Sequence, residues 1–285
     1  KGKYSCAKPL SDSMASNGNG PEIIEFLPDL TTKKKKGVHR PIYAEVFTNE
    51  LVKGEAPKVI HLMVNPFSGK KKGEKIASQA SAIFEENGIS VTMHLSTYSG
   101  ELIQLAAGLT TNESDIVAVV GGDGSLSEVV TGLMQAGSKC RVGLIPAGTG
   151  NSMANDLSIK STEDAVARVC AGHYQTLDLA KVDMVAGLPG SEGGELTRYS
   201  TNLVTWGLGV DSTIKAEKMR WMGPMRYDVG ILMAIMANNR RNAKLTIDGH
   251  VFEDDFTLFL IQNSQTGGSL LPLAPGASLD DGLMD

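Results

Sequence analysis

Between Lys58 and Ala171, short apolar runs alternate with stretches whose apolar residues recur every three or four positions. Val59 to Val64 (VIHLMV) is such a run, and Asn65-Pro66 turns the chain after it. Gly73 to Asn87 carries Ile76, Ala80, Ile83 and Phe84 at helical spacing, with Gly88 placed as a C-terminal cap. Ser90 to Leu95 reads as a strand and Glu101 to Leu109 as a helix. Ile116 to Val120 is unbroken apolar sequence that opens into Gly121-Gly122-Asp123-Gly124, and Leu126 to Met134 is helical. Val142 to Ile145 is a second such run, opening into Pro146-Ala147-Gly148-Thr149-Gly150-Asn151. Thr162 to Cys170 is helical again, with Ser161 and Asp164 placed as an N-cap and its N3 carboxylate. Buried-type strands alternating with helices predict an α/β lobe, a parallel sheet covered on both faces. Ligands of such sheets sit beyond the carboxyl ends of the strands, where both glycine-rich turns fall.

After about residue 177 the rhythm changes. Strands are predicted over 177–182, 199–206, 244–247 and 257–262, with Met225 to Ala237 the best helix between them. Gly187 to Gly194 (GLPGSEGG) reads as a surface loop. This half is expected to be a mostly antiparallel β lobe, with the boundary between Gly172 and Leu177. Residues 42–52 alternate weakly, as a strand would. Ser13 to Pro21 is Ser/Asn/Gly-rich and Lys33 to Lys36 is a run of lysines. The expected division is 1–57, poorly ordered or the tail of an upstream domain; 58–174, the α/β lobe; and 175–285, the β-rich lobe.

The 285 residues suit about two domains. Apolar residues at 41% and charged residues at 21% are enough for a sizeable core and exclude wholesale disorder. A net charge of −5 lacks the basic balance of a bulk nucleic-acid binder, and no nucleic-acid partner is expected. The apolar run Val229 to Ala237 is too short to span a bilayer. Cys6, Cys140 and Cys170 make neither a disulfide framework nor a zinc site, so an intracellular, reducing setting is expected. The chain starts at Lys1 without Met or an apolar leader and stops at Asp285, which reads as a fragment.

The chemistry should lie at the glycine turns. Backbone N–H groups of a strand–turn–helix junction form an anion site, and glycine lets a ligand approach closely. A carboxylate such as Asp123 inside a phosphate cradle suits proton abstraction from an attacking hydroxyl, or contact with a nucleotide's metal. The plain alternative is a helix cap. Gly148-Thr149-Gly150-Asn151 repeats the logic with two side-chain hydrogen-bonding groups. Asn65 to Gly73 (NPFSGKKKG) adds lysines at a third strand–helix junction, although neither G-x-x-x-x-G-K-[ST] nor G-x-G-x-x-G occurs. Glu217, Lys218, Arg220 and Arg226 form a charged cluster with Trp221 and Tyr227, and its arginines suit phosphate. A surface helix with salt bridges is the plainer reading. His61, His94, His173 and His250 lack metal-ligand spacing.

These residues resemble the diacylglycerol kinase catalytic-domain superfamily and, within it, the sphingosine kinase and ceramide kinase branch. The resemblance runs from about Lys58 to Asp285. It is carried by NPFSGKKKG (65–73), VVGGDGSLSEVVTGL (119–133), PAGTGNSMA (146–154), WGLGVDSTIKAEKMRWMGPMRY (206–227) and LAPGASLDDGLMD (273–285). NAD kinases and phosphofructokinases share a GGDG-type turn but not the tryptophan-to-tyrosine stretch. The resemblance implies an ATP-dependent lipid kinase, with a nucleotide-binding α/β lobe and a lipid-binding β lobe that is incomplete here. It implies Asp123 as general base. It implies nucleotide contacts at Asn65, Pro66, Ser68, Gly69, Ser96, Gly121, Gly122, Gly124, Ser125, Glu128, Gly148, Thr149, Gly150, Asn151, Glu217, Arg220 and Arg226. Asp211 and Thr213 fall in the lipid-facing segment. Animal sphingosine kinases carry at the position of Thr213 a second Asp that holds the sphingosine amine; ceramide kinases lack it too.

The expected reaction is γ-phosphoryl transfer from ATP with Mg²⁺, held mainly by phosphates with few protein ligands, to a primary hydroxyl of a sphingoid base. Ceramide or diacylglycerol phosphorylation, an NAD kinase-like reaction on a soluble substrate, and a non-catalytic lipid-binding scaffold are the alternatives. The expected setting is cytoplasmic with peripheral contact to an intracellular or plasma membrane surface; protein partners are unknown from the sequence. Lys33 to Lys36 and the helix around Met225 to Met236 are the candidate docking surfaces, the plainer reading of the helix being buried core.

Overall fold

A computed structural model of the chain describes residues 46–185, 194–222, 225–237, 239–267 and 271–285. Strands β1 (Val59–Val64), β2 (Ser90–Leu95), β3 (Ile116–Gly121) and β4 (Arg141–Pro146) form one parallel sheet in the order β2-β1-β3-β4. Its helices are α1 (Gly73–Glu86), α2 (Glu101–Ala107), α3 (Asp123–Gln135), α4 (Ser152–Asp156) and α5 (Thr162–Ala171). β3 is buried at every position, as a central strand made of Ile, Val and Ala requires. One face packs Met63, Val117, Val119 and Leu144 against Leu102 of α2 and Leu126, Val130 and Leu133 of α3. The other packs Ile60, Leu62, Val64 and Val120 against Ala77, Ala80 and Phe84 of α1 and Val166 and Val169 of α5. Each fully buried Leu, Ile, Val or Phe contributes about 1.5–3 kcal/mol, so the sheet is the stable scaffold on which the turns are mounted. The expected cap of α5 is present: the Asp164 N–H donates to Ser161 Oγ at 3.1 Å, and Asp164 reaches back to the Lys160 N–H.

The second half is built from antiparallel pairs. β5 (Ala180–Val185) pairs with β6 (Glu195–Ser200), β7 (Leu203–Gly207) with β10 (Leu258–Gln262), β8 (Arg241–Ile247) with β9 (His250–Phe256), and β11 (Thr266–Gly267) with β12 (Leu271–Pro272). Helices α6 (Leu208–Lys218) and α7 (Met225–Ala237) pack on each other between β7 and β8. The α/β lobe followed by an antiparallel lobe is the expected fold class. β5 begins at Ala180 rather than at 177, the short α4, β11 and β12 were not expected, and three further details differ from the expectation. The strand over 199–206 is two strands, parted at Thr201 and Asn202, which are both buried. β9 was not anticipated, because HVFEDDF is exposed on both faces and carries no clean alternation. α6 was not anticipated either, because its sequence begins in the glycine-rich stretch WGLGVD.

The described part of the 42–52 strand candidate makes a single bridge, Val52 to Tyr174. Just before it the chain is tied to the far end of the sequence. The Leu279 N–H donates to the Val46 carbonyl at 2.8 Å, and the Asp280 carboxylate accepts from the Thr48 and Asn49 N–H groups at 2.6 and 2.8 Å. The lysine run 33–36 and most of the loop 187–194 lie outside the described residues. Among the described residues no helix is long and apolar enough to cross a membrane.

Helix α7 inverts the expected burial. It packs Gly230 and Ala234, the small residues, towards α6, where Ser212 and Ala216 are buried. Its large residues Met225, Leu232, Met233, Ile235 and Met236 are exposed, and Trp221 ahead of it is 82% exposed. The plain reading of this helix as core is therefore replaced by an apolar outer face.

Candidate active site

Three strand–helix turns converge at the carboxyl ends of β1, β3 and β4. The Asn65 side-chain Nδ2 donates to Ser125 Oγ at 3.2 Å, joining the first turn to the second. Gly69 is left-handed (φ 55°), and a Cβ there would stand 2.2 Å from the Ala147 carbonyl, which joins the first turn to the third. Gly122 and Gly148 meet face to face: a Cβ on Gly148 would lie 2.6 Å from the Gly122 Cα. The Gly121 carbonyl accepts from the Ala147 and Gly148 N–H groups at 2.8 and 3.2 Å. Lys70 and Lys71 are also left-handed, at φ 64° and 65°. Such non-glycine residues cost about 1–2 kcal/mol each, and strain of this kind collects at functional turns.

The cradle fits a nucleotide's phosphates on two counts. α3 begins at Asp123 with no side-chain cap, which leaves the N–H groups of its first turn for an outside acceptor. At Gly124 a Cβ would meet no atom of the chain within 4 Å, so that glycine faces open space rather than a neighbour. Behind them Asn151, also left-handed at φ 52°, donates from Nδ2 to the Gly148 carbonyl at 2.9 Å, while its buried Oδ1 has no partner. Thr149 and Gly150 lie on the rim beside it, half-buried.

Asp123 stands at the junction of two turns. Its Oδ2 accepts the Ser152 N–H and its Oδ1 the Met153 N–H, each at 2.9 Å, so the carboxylate caps α4 rather than its own helix. Asn202 adds a longer contact, Nδ2 to Oδ1 at 3.4 Å. Sequence reasoning missed Asn202: it comes from the second lobe, and no local spacing marks it. Each carboxylate oxygen has two acceptor positions. Oδ1 uses both, whereas Oδ2 accepts one protein donor.

The other expected residues separate into those the turns gather and those they do not. Pro66 and Ser68 lie in the first turn, with Ser68 Oγ 3.7 Å from where a Gly121 Cβ would be. Ser96 is buried at the end of β2, and its N–H and Oγ both donate to the Val64 carbonyl, at 3.0 and 3.3 Å. Glu128, on α3, accepts the Gly100 N–H at 3.2 Å; burial holds its carboxyl above the usual range, partly offset by that bond and by Arg198. Asp211 is gripped by Arg241, whose Nη2 lies 2.9 and 3.0 Å from its two oxygens, and that bond lowers its pKa. The Thr213 hydroxyl donates to the Gly209 carbonyl at 2.9 Å. Glu217 lies on α6, Arg220 in the short 3-10 turn Arg220–Met222 and Arg226 on α7. The side chains of Glu217 and Arg220 lie outside the described part of the structure.

No group of three or more His, Cys, Asp or Glu is placed to hold a metal among the described residues. The His61–His94 pair, at 3.3 Å, sits away from the turns beside Asp115.

Comparison with known proteins matches this architecture. Residues 59–182 match the model of the diacylglycerol kinase catalytic domain, and residues 202–285 that of the YegS C-terminal NAD kinase beta sandwich-like domain. A diacylglycerol kinase of Mycobacterium tuberculosis is 31% identical over 83% of this chain and 74% of its own length. The chain belongs to the diacylglycerol kinase catalytic-domain superfamily. Sphingosine kinase 1 of Arabidopsis thaliana is 29% identical over 72% of this chain, which spans only 43% of that relative. A diacylglycerol kinase structure from Bacillus anthracis shares the fold, with a TM-score of 0.55 at 21% identity over 80% of this chain and 72% of that one. Sphingosine kinases and bacterial diacylglycerol kinases are thus both among this superfamily member's relatives.

Proposed function

We propose that the chain is the catalytic part of an ATP-dependent lipid kinase, which transfers the γ-phosphoryl group of ATP to a primary hydroxyl of a sphingoid base. The observation that carries this reading is the Asp123 carboxylate, fixed by two N–H donors at 2.9 Å where two glycine turns meet. Bound ATP supplies the transferable phosphoryl group. The chain's own residues bind, orient and move a proton. The free first turn of α3 and the N–H groups of the Gly121–Gly124 and Gly148–Asn151 turns hold phosphate oxygens. Asp123 Oδ2 takes the hydroxyl proton through its vacant position. Such catalysis is mostly positioning and charge stabilisation. Arg220 and Arg226 are the proposed cations for phosphate charge, and Glu217 a further nucleotide contact. No cluster of three or more His, Cys, Asp or Glu that could hold a metal lies among the described residues, and Mg²⁺ would be held mainly by the nucleotide's phosphates.

The lipid is proposed to reach the site from a bilayer. Trp221, Met225, Leu232, Ile235 and Met236 give α6–α7 an apolar outer face, with exposed Lys218 and Arg240 beside it. An apolar face rimmed by cations suits peripheral contact with an anionic membrane.

A second reading, a neutral headgroup such as ceramide or diacylglycerol, is favoured by one contact. Arg241 already pairs with Asp211, and Thr213 brings no second carboxylate for a cationic amine. Labelled ATP supplied with sphingosine, phytosphingosine, ceramide or diacylglycerol in mixed micelles separates the readings. Label in a free sphingoid base supports the first, and label only in ceramide or diacylglycerol the second. No label in any lipid, with ATP bound, would overturn both.

A further inference from the structure

The donors that hold Asp123 belong to α4, which runs only from Ser152 to Asp156. A helix this short is not stable alone. Its N-cap residue, Asn151, makes no side-chain capping bond. Its N-terminal end is fixed by Asp123, and its C-terminal end is fixed by a bond to the second lobe. Asp156 is 9% exposed, and its Oδ2 accepts the Thr266 N–H at 3.0 Å while its Oδ1 accepts the Thr266 hydroxyl at 2.6 Å. Thr266 is also buried, and its Oγ1 lies 3.5 Å from the Ser152 carbonyl, back at the first residue of α4. Burial pushes the Asp156 carboxyl up, against hydrogen bonds from Thr266, Asn155 and Gln265 that pull it down. A buried carboxylate is a costly way to attach a helix, and an apolar contact would serve stability as well. A directional bond is what fixes where the helix points.

We propose that Asp156 and Thr266 are positioning residues for Asp123. Their bonded pair anchors α4 to the second lobe and so holds the Ser152 and Met153 N–H groups at the carboxylate. The inference rests on the reading of Asp123 as the general base. It implies that a shift of β11 in the second lobe is felt at Asp123 through one short helix. A displacement of about 1 Å at reacting groups costs about a hundredfold in rate.

Asp156→Ala, Asp156→Asn and Thr266→Val, made in the full chain beside wild type and Asp123→Asn, test this. The readouts are kcat, the KM values for ATP and lipid, and amide exchange at Ser152 and Met153. For Asp156→Ala, kcat should fall about 10–100-fold with the KM for ATP changed less than about threefold, and exchange at both amides should quicken. Asp156→Asn should recover to within about threefold of wild type, because its amide oxygen accepts the Thr266 N–H and its NH₂ donates to Oγ1. Thr266→Val, which removes the hydroxyl bond alone, should fall between. Folded Asp156→Ala and Thr266→Val with wild-type kcat and unchanged exchange would overturn the proposal. If Asp156→Ala does not fold, Thr266→Val decides by the same readouts. Wild type without phosphoryl transfer, but with faster exchange in the variants, would keep the anchor and sink the kinase reading. Transfer lost in Asp123→Asn yet untouched in Asp156→Ala and Thr266→Val would sink the anchor alone.

Discussion

Two glycines of the site separate what the fold needs from what a ligand needs. At Gly148 a Cβ would lie 2.6 Å from both the Gly122 Cα and Asn151 Oδ1, so the two turns could not close. At Gly124 a Cβ would meet nothing in the chain. Gly124→Ala is therefore expected to leave the fold as stable as before, or more stable by about 0.5–1 kcal/mol, while ATP affinity falls at least about tenfold. Gly148→Ala is expected to lose both stability and affinity. Thermal denaturation beside an ATP titration reads the difference; unchanged ATP affinity in Gly124→Ala would contradict the phosphate cradle. These turns were legible in the sequence because their chemistry is local: a strand, a few glycines and a polar residue in succession. Asn202 was not legible, since it reaches Asp123 across 79 positions of sequence. Asp156 and Thr266 were hidden for the same reason, at a separation of 110.

Among the elements, legibility follows burial. The strands of the parallel sheet were found because both faces of each central strand are covered, which demands unbroken apolar runs such as Ile116–Val120. Of the β8–β9 hairpin, the second half of β8 was legible over 244–247, but β9 escaped because it is largely exposed, and Asp248-Gly249 at the turn, both at positive φ, is its one local signal. Helix α7 was found with the bounds Met225–Ala237, but its burial was misjudged: apolar content alone does not say which face is covered. Its exposed face makes a prediction. Leu232→Glu with Met236→Glu should cut binding to anionic vesicles by about tenfold or more and leave the fold intact, measured by vesicle sedimentation and circular dichroism. Unaltered sedimentation would remove α7 from the docking surface. Asp280 makes another. Burial alone would raise its pKa, but hydrogen bonds from Thr48 and Asn49 outweigh that and hold it low. A carboxylate depressed on folding contributes stability that is present above its unfolded value, near about 3.9, and is lost as pH falls through the lower folded value. The 46–49 segment should therefore stay attached at neutral pH and loosen only below about pH 4. Asp280→Ala should release it at pH 7, seen as faster amide exchange at Thr48 and Asn49; protection retained in that variant would contradict the tie.

At the scale of the whole molecule, the two halves differ in how they are held. The α/β lobe has apolar clusters on both faces of one sheet. The second half is a set of short antiparallel pairs joined to the first by Tyr199 and Leu279, which enter one of those clusters, and by polar contacts: Ser127 Oγ to the Tyr199 carbonyl at 2.7 Å, Asn202 to Asp123, and Thr266 to Asp156. The glycine turns are thus mounted on the lobe with apolar clusters on both faces of its sheet, and Asp123 sits where the second lobe touches it. On the proposed reading the chemistry falls to Asp123 and ATP binding to the turns, and the two should come apart. The most direct measurement is single-turnover transfer of labelled phosphate from ATP to lipid by wild type and Asp123→Asn, with ATP affinity measured on the same samples. The account predicts that the transfer rate falls at least about a hundredfold in Asp123→Asn while ATP affinity stays within about threefold. Transfer at the wild-type rate in Asp123→Asn would contradict it.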